Sequence, residues 1–136
     1  MTPGGRVAVG RSALHGRGVF ATLSIPAGGM IEVSPVLVVP AEHVEDLRRT
    51  ALWPYCFGWP GDRSCIALGT GSLYNHSPDA NARVTLNSAA GLVSFSATRS
   101  IAVGEEITIN YNGEPDDPTP VCFDEATWAA DAEGQW

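Results

Sequence analysis

The chain has 136 residues, enough for one small domain with its own core. Its formal net charge is −7, the wrong sign for a protein that meets phosphates with a basic face and the right one for steering a Lys/Arg-rich partner. No apolar run approaches the ~20 residues of a membrane span, and Met1-Thr2-Pro3-Gly4-Gly5-Arg6 lacks the apolar stretch of a secretory leader, so a cytoplasmic location is expected.

Charge is uneven along the chain. All eight basic residues are arginine, and none follows Arg99. Nine acidic residues do, from Glu105 to Glu133. Cys56, Cys65 and Cys122 are too far apart in sequence to suggest a zinc knuckle. Their odd number fits reduced thiols, and no metal site is expected.

In chain order, the first third reads as strands: Arg6–Gly10, Gly18–Ala21 and the Val/Ile-rich Met30–Val39. Ala41–Leu52 has Val44, Leu47 and Ala51 on one face and predicts a helix between Pro40 and Pro54. Trp53–Arg63 reads as an ordered loop rich in Pro, Gly and aromatics. Ser64–Leu68 is a short strand. Ala82–Leu86 and Leu92–Ala97 flank a turn and predict a hairpin. Ile107–Tyr111 is the last strand, Asn112–Pro120 a linker, and Phe123–Glu133 a terminal helix capped by Asp124. An internal echo runs through the list. Residues 21–31 match residues 97–107 at six of eleven positions. Shared turn chemistry explains such a match, and so do two related β-units about a pseudo-twofold. Many short strands with little helix predict a β-rich domain.

Three segments carry chemistry. His15-Gly16-Arg17-Gly18-Val19-Phe20 places two glycines between strands, where main chain can approach a ligand closely. It is no dinucleotide fingerprint, because no third glycine opens a helix. Tyr74-Asn75-His76-Ser77-Pro78-Asp79-Ala80-Asn81 is a polar cluster entered from small and apolar sequence, which suggests buried polar groups with partners. Gly104-Glu105-Glu106-Ile107-Thr108-Ile109-Asn110-Tyr111 is a turn feeding a strand that ends on a tyrosine. Each alone has an ordinary structural explanation.

In this order the three segments resemble a SET domain, the family that transfers methyl groups from S-adenosylmethionine to protein lysines. The resemblance covers about Arg6–Asn112. It is nearest the minimal viral and bacterial type, without a preceding zinc region or a zinc-binding tail. It implies a mainly β, clip-like fold of short sheets with one or two short helices and a threaded C-terminal segment. Residues 1–112 would form the SET domain, and residues 113–136 a tail packed on it. It implies that Gly16, Arg17, Gly18, Tyr74, Asn75, His76 and Tyr111 bind the cofactor, Asn75 at its amino-acid end and the His76 main chain at its adenine. Asn81 would shape the loop. Tyr111 takes the catalytic position. Tyr55, Ile109, Phe123 and Trp128 are candidate walls of the lysine channel. A lysine amine, with an ordinary pKa of about 10.4, must arrive neutral. An apolar channel lowers that pKa by desolvation.

The expected substrate is a basic lysine-containing protein or peptide, with no nucleic acid or membrane partner. A homodimer is expected by analogy with the viral type. An inactive SET-like module that binds a basic peptide is the alternative. Two departures from the family stand out. The cysteine-rich tail is missing, and Ile109 occupies a position where some members carry an aromatic that limits how many methyls are added.

Overall fold

The computed structural model describes residues 5–119. The expected mainly β fold is what it shows. The strands are β1 (Val7–Arg11), β2 (Arg17–Ala21), β3 (Met30–Val39), β4 (Cys56–Trp59), β5 (Arg63–Ala67), β6 (Asn75–His76), β7 (Ala82–Asn87), β8 (Leu92–Ala97) and β9 (Glu106–Ile109). They form two sheets, of order β1-β2-β9-β6 and β4-β5-β3-β8-β7. Alternation sets which face is buried. On β8, Val93, Phe95 and Ala97 point inward, and Ile107 and Ile109 of β9 meet the same core.

The echo is a pseudo-twofold. Ile25 and Ile101 exchange both main-chain hydrogen bonds, at 2.9 and 2.8 Å. Ala21 N–H donates to Glu105, and its counterpart Ala97 N–H donates to Gly29. Gly104 N–H donates to Ala21, and its counterpart Gly28 N–H donates to Ala97. Each copy ends in a turn whose third residue is glycine, with φ of 81° at Gly28 and 85° at Gly104, a conformation that favours glycine. The strands after the two turns are exchanged. β3 follows the β1–β2 hairpin but pairs with β8, and β9 follows the β7–β8 hairpin but pairs with β2.

That exchange places β9 between β2 and the two-residue β6, which it meets in parallel. Asn81 completes the seat. Its Oδ1 accepts from Thr108 N–H at 2.8 Å, and its Nδ2 donates to the Glu106 carbonyl at 2.9 Å. The side chain serves β9 as a peptide group of a neighbouring strand would.

Beyond one-residue shifts at β1, β2, β5 and β7, several boundaries differ from the sequence reading. The helix shrinks to a 3-10 turn at Ala41–His43 and α1 at Val44–Arg48. Neither fully buries a residue, and Val44 and Leu47 are only half-buried, so the apolar face has too little packing to extend it. The loop at Trp53–Arg63 contains β4, which pairs with β5 from Cys56↔Ile66 to Trp59↔Arg63. The last strand stops at Ile109, because Asn110 opens a turn: its carbonyl accepts from Gly113 N–H and its Oδ1 from Asn112 N–H, each at 2.9 Å. Residues 113–119 return to the domain. Asn110 Nδ2 donates to the Asp117 carbonyl at 2.7 Å, and Asn112 Nδ2 to that of Thr119 at 2.8 Å. Cys122, the expected terminal helix, and the candidate wall residues Phe123 and Trp128 lie outside the described residues.

Candidate active site

The turn after β9 brings Tyr111 to β6. Its main-chain N–H donates to His76 Nδ1 at 3.0 Å, and its hydroxyl donates to the Tyr74 carbonyl at 2.7 Å. The His76 and Tyr111 rings lie 5.2 Å apart. The ring nitrogen that accepts must be unprotonated, and burial lowers the His76 pKa accordingly. Burial, and secondarily the Glu106 charge, raise the Tyr111 pKa above that of a free phenol. Tyr111 is therefore a neutral donor at physiological pH.

Beside it lies a pocket of about 440 Å³. Trp53, Tyr55, Phe57, Tyr74, Ile109 and Tyr111 contribute to its wall. Tyr55 enters from a 3-10 turn at Trp53–Tyr55, and Phe57 from β4. The Tyr55 hydroxyl is buried and has no hydrogen-bond partner among the described residues. An unpaired buried hydroxyl costs about 1–3 kcal/mol, so a ligand that pairs with it recovers that loss. Cys56 also lines the pocket; burial, with the neighbouring Cys65, pushes its thiol up to about 11. It is not an activated nucleophile.

A second locus adjoins the first through β6. Asn75 Nδ2 donates to the carbonyls of His15 and Arg17 and to Glu106 Oε2, each at 2.9 Å. Ser12 Oγ donates to both Glu106 oxygens, at 2.7 and 2.9 Å. Gly18 is required here by space. A Cβ on it would lie 2.2 Å from Glu106 Oε2 and 3.0 Å from Asn75 Nδ2. Gly16 is required by conformation, with φ of 47°. The two glycines, Arg17, Asn75 and Glu106 thus meet at one corner where β2, β6 and β9 run side by side.

The SET domain family model matches residues 16–112. The chain belongs to the SET-domain family. This SET domain is 37% identical over 97 residues to a Schizosaccharomyces pombe histone-lysine N-methyltransferase specific for H3 lysine-37, covering 71% of this chain and 66% of that protein. It is 35% identical over 130 residues to the Arabidopsis thaliana histone-lysine N-methyltransferase ATX2, covering 87% of this chain and 12% of that one. The chain thus spans 66% of the length of the yeast relative and 12% of the plant one. Among solved structures it resembles a Plasmodium falciparum chain assigned as a histone methyltransferase, with a TM-score of 0.67 and 28% identity, over 79% of this chain and 93% of that chain.

The SET fold brings Gly16, Arg17, Gly18, Asn75, His76 and Tyr111 around β6, and Tyr55, Ile109 and Tyr111 around the pocket. Asn75 and Tyr74, both expected at the cofactor, have a further place. The Asn75 amide nitrogen is engaged by the protein, bracing the β1–β2 loop. The Tyr74 ring is 1% exposed and stacks on Phe95 with centroids 4.4 Å apart, so the residue meets Tyr111 through its carbonyl. Sequence reasoning passed over Glu106 as a turn residue, and over Trp53 and Phe57 as loop aromatics. The aromatic density of residues 53–59 was the available signal. Among the described residues no cluster of His, Cys, Asp or Glu could hold a metal ion.

Proposed function

We propose that this SET domain transfers a methyl group from S-adenosylmethionine to the side-chain amine of a lysine in a basic protein. The observation that carries this reading is the Tyr111 hydroxyl, fixed as a donor to the Tyr74 carbonyl at the wall of an aromatic pocket. The Schizosaccharomyces pombe and Arabidopsis thaliana relatives are named for histone-lysine methyl transfer, which supports a basic protein substrate here.

The residues present fit the cofactor. Its amino-acid end is charged, and the main-chain carbonyls of His15 and Arg17, the Asn75 amide and the Glu106 carboxylate meet at the corner that Gly18 lets pack closely. Gly16–Gly18, Asn75 and the His76 main chain would hold it. When bound, it supplies a methyl group on a positively charged sulfur, a strong electrophile. The chain supplies the rest. Trp53, Phe57 and Ile109 strip water from an entering lysine and favour its neutral form. The Tyr111 oxygen, its proton committed to Tyr74, accepts from the amine and orients its lone pair. The Tyr55 hydroxyl gains its missing partner from the same amine. Alignment of this kind contributes several kcal/mol to a two-reactant step, on the order of 7–11 in the best cases.

Isothermal calorimetry with S-adenosylmethionine, followed by transfer to lysine peptides, tests the reading. Binding with transfer supports it. Binding without transfer to any peptide identifies an inactive binding module instead.

A further inference from the structure

Behind Tyr74 sits a carboxylate that the reaction above does not use. Tyr74 donates its hydroxyl to Glu32 Oε1 at 2.6 Å. Thr70 donates both its hydroxyl and its main-chain N–H to the same carboxylate. Among the described residues Glu32 has no cationic partner; the ion pairs there join Arg48 to Glu45, Arg49 to Asp46, Arg83 to Glu114 and Arg99 to Asp79. A half-buried carboxylate without a cation is held by its hydrogen bonds alone, and these are strong because the acceptor is charged.

The fold is arranged to make them. β3 carries a register shift between Met30 and Glu32, which sets Glu32 opposite Phe95, the ring on which Tyr74 stacks. Gly69, at φ of 67°, carries the chain close to the carboxylate; a Cβ there would lie 3.0 Å from Glu32 Oε2. Tyr74 is thus fixed on its ring face by Phe95 and at its tip by Glu32. Its main-chain carbonyl is the acceptor for the Tyr111 hydroxyl. Ring and carbonyl belong to one residue at the entrance of β6, so holding the ring at its face and tip restrains the main chain that carries the carbonyl.

We propose that Glu32 is a positioning residue for the Tyr111 hydroxyl, acting through Tyr74. The assignment of the hydroxyl to methyl transfer rests on the function proposed above. The link from Glu32 to Tyr74 to Tyr111 does not, and the test separates the two.

The chain has three tyrosines, Tyr55, Tyr74 and Tyr111. Tyrosine labelled with 13C at Cζ therefore gives three resonances, assigned with the three Tyr→Phe variants. Each reports the hydrogen bonding of its own hydroxyl. In Glu32→Gln the Tyr74 and Tyr111 resonances are both expected to move, and the Tyr55 resonance to stay. In Tyr74→Phe, which keeps the ring and the carbonyl, the Tyr111 resonance is expected to move as well. In the transfer assay both variants are expected to lose about tenfold or more in kcat with KM for the cofactor within about twofold, the pattern of an interaction that matters in the transition state. A merely structural role would lower Tm and leave the Tyr111 resonance in place. An unmoved Tyr111 resonance in either folded variant overturns the proposal. If the wild-type chain transfers no methyl group, the functional reading fails and the resonances still decide the positioning link.

Discussion

Replacing Asn81 with Ala removes the side chain that seats β9. Thr108 N–H loses its 2.8 Å acceptor, and the Glu106 carbonyl loses its 2.9 Å donor. Asn81 is 2% exposed and Thr108 6%, so water does not readily replace either bond. A buried polar group left unpaired costs about 1–3 kcal/mol. Two such groups cost about 3 kcal/mol or more, a large part of the ~5–15 kcal/mol that holds a domain folded. At about 3–4 °C per kcal/mol for a chain of this size, Tm is expected to fall by about 10 °C or more. Scanning calorimetry of Asn81→Ala beside Asn87→Ala measures it. Asn87 Oδ1 accepts from Ala90 N–H in an exposed turn, so its loss is expected to stay near 0.5 kcal/mol. A fall of less than about 3 °C for Asn81→Ala, on the same scale, would refute the claim that its side chain completes the pairing of β9.

Gly18→Ala forces Glu106 or Asn75 aside, and is expected to weaken S-adenosylmethionine binding by about tenfold or more in calorimetry, near 1.4 kcal/mol; unchanged affinity would remove this corner from the cofactor site. His76 titrates below its ordinary value of about 6.5, so its contribution to stability is present above that pH and is lost as pH falls through the lowered pKa. Wild-type Tm is therefore expected to drop more between pH 7.5 and pH 5 than that of His76→Asn, with equal drops counting against the bond to Tyr111 N–H. Cys56 and Cys65, each pushed up to about 11 mainly by burial, are expected to alkylate more slowly than a free thiol at pH 7.5. Rapid labelling of either, read by mass spectrometry, would contradict their burial.

Much of the β architecture was legible because alternation and turn residues are local signals. The hairpin at β7 and β8 falls where Val, Thr and Phe alternate around Gly91, and of the two explanations the echo left open, the paired Ile25 and Ile101 favour the pseudo-twofold. What failed was non-local. The face of Val44 and Leu47 was correctly apolar, yet both side chains are only half-buried among the described residues, so the helix stays short. β6 is two residues long and exists only because β9 lies beside it. The site divides the same way. Motif residues such as Tyr111 and Asn75 were named from sequence. Glu32 and Glu106 were not, because their partners lie 42 and 31 residues away.

The role proposed for the Tyr111 hydroxyl in methyl transfer is tested by mass spectrometry of a histone-derived lysine peptide incubated with methyl-labelled S-adenosylmethionine and either the wild-type chain or Tyr111→Phe. A labelled methyl on lysine is expected with the wild type. With the variant the rate is expected to be lower by about a hundredfold, or about 2.7 kcal/mol, while cofactor binding persists. Equal rates for the two proteins would contradict that role.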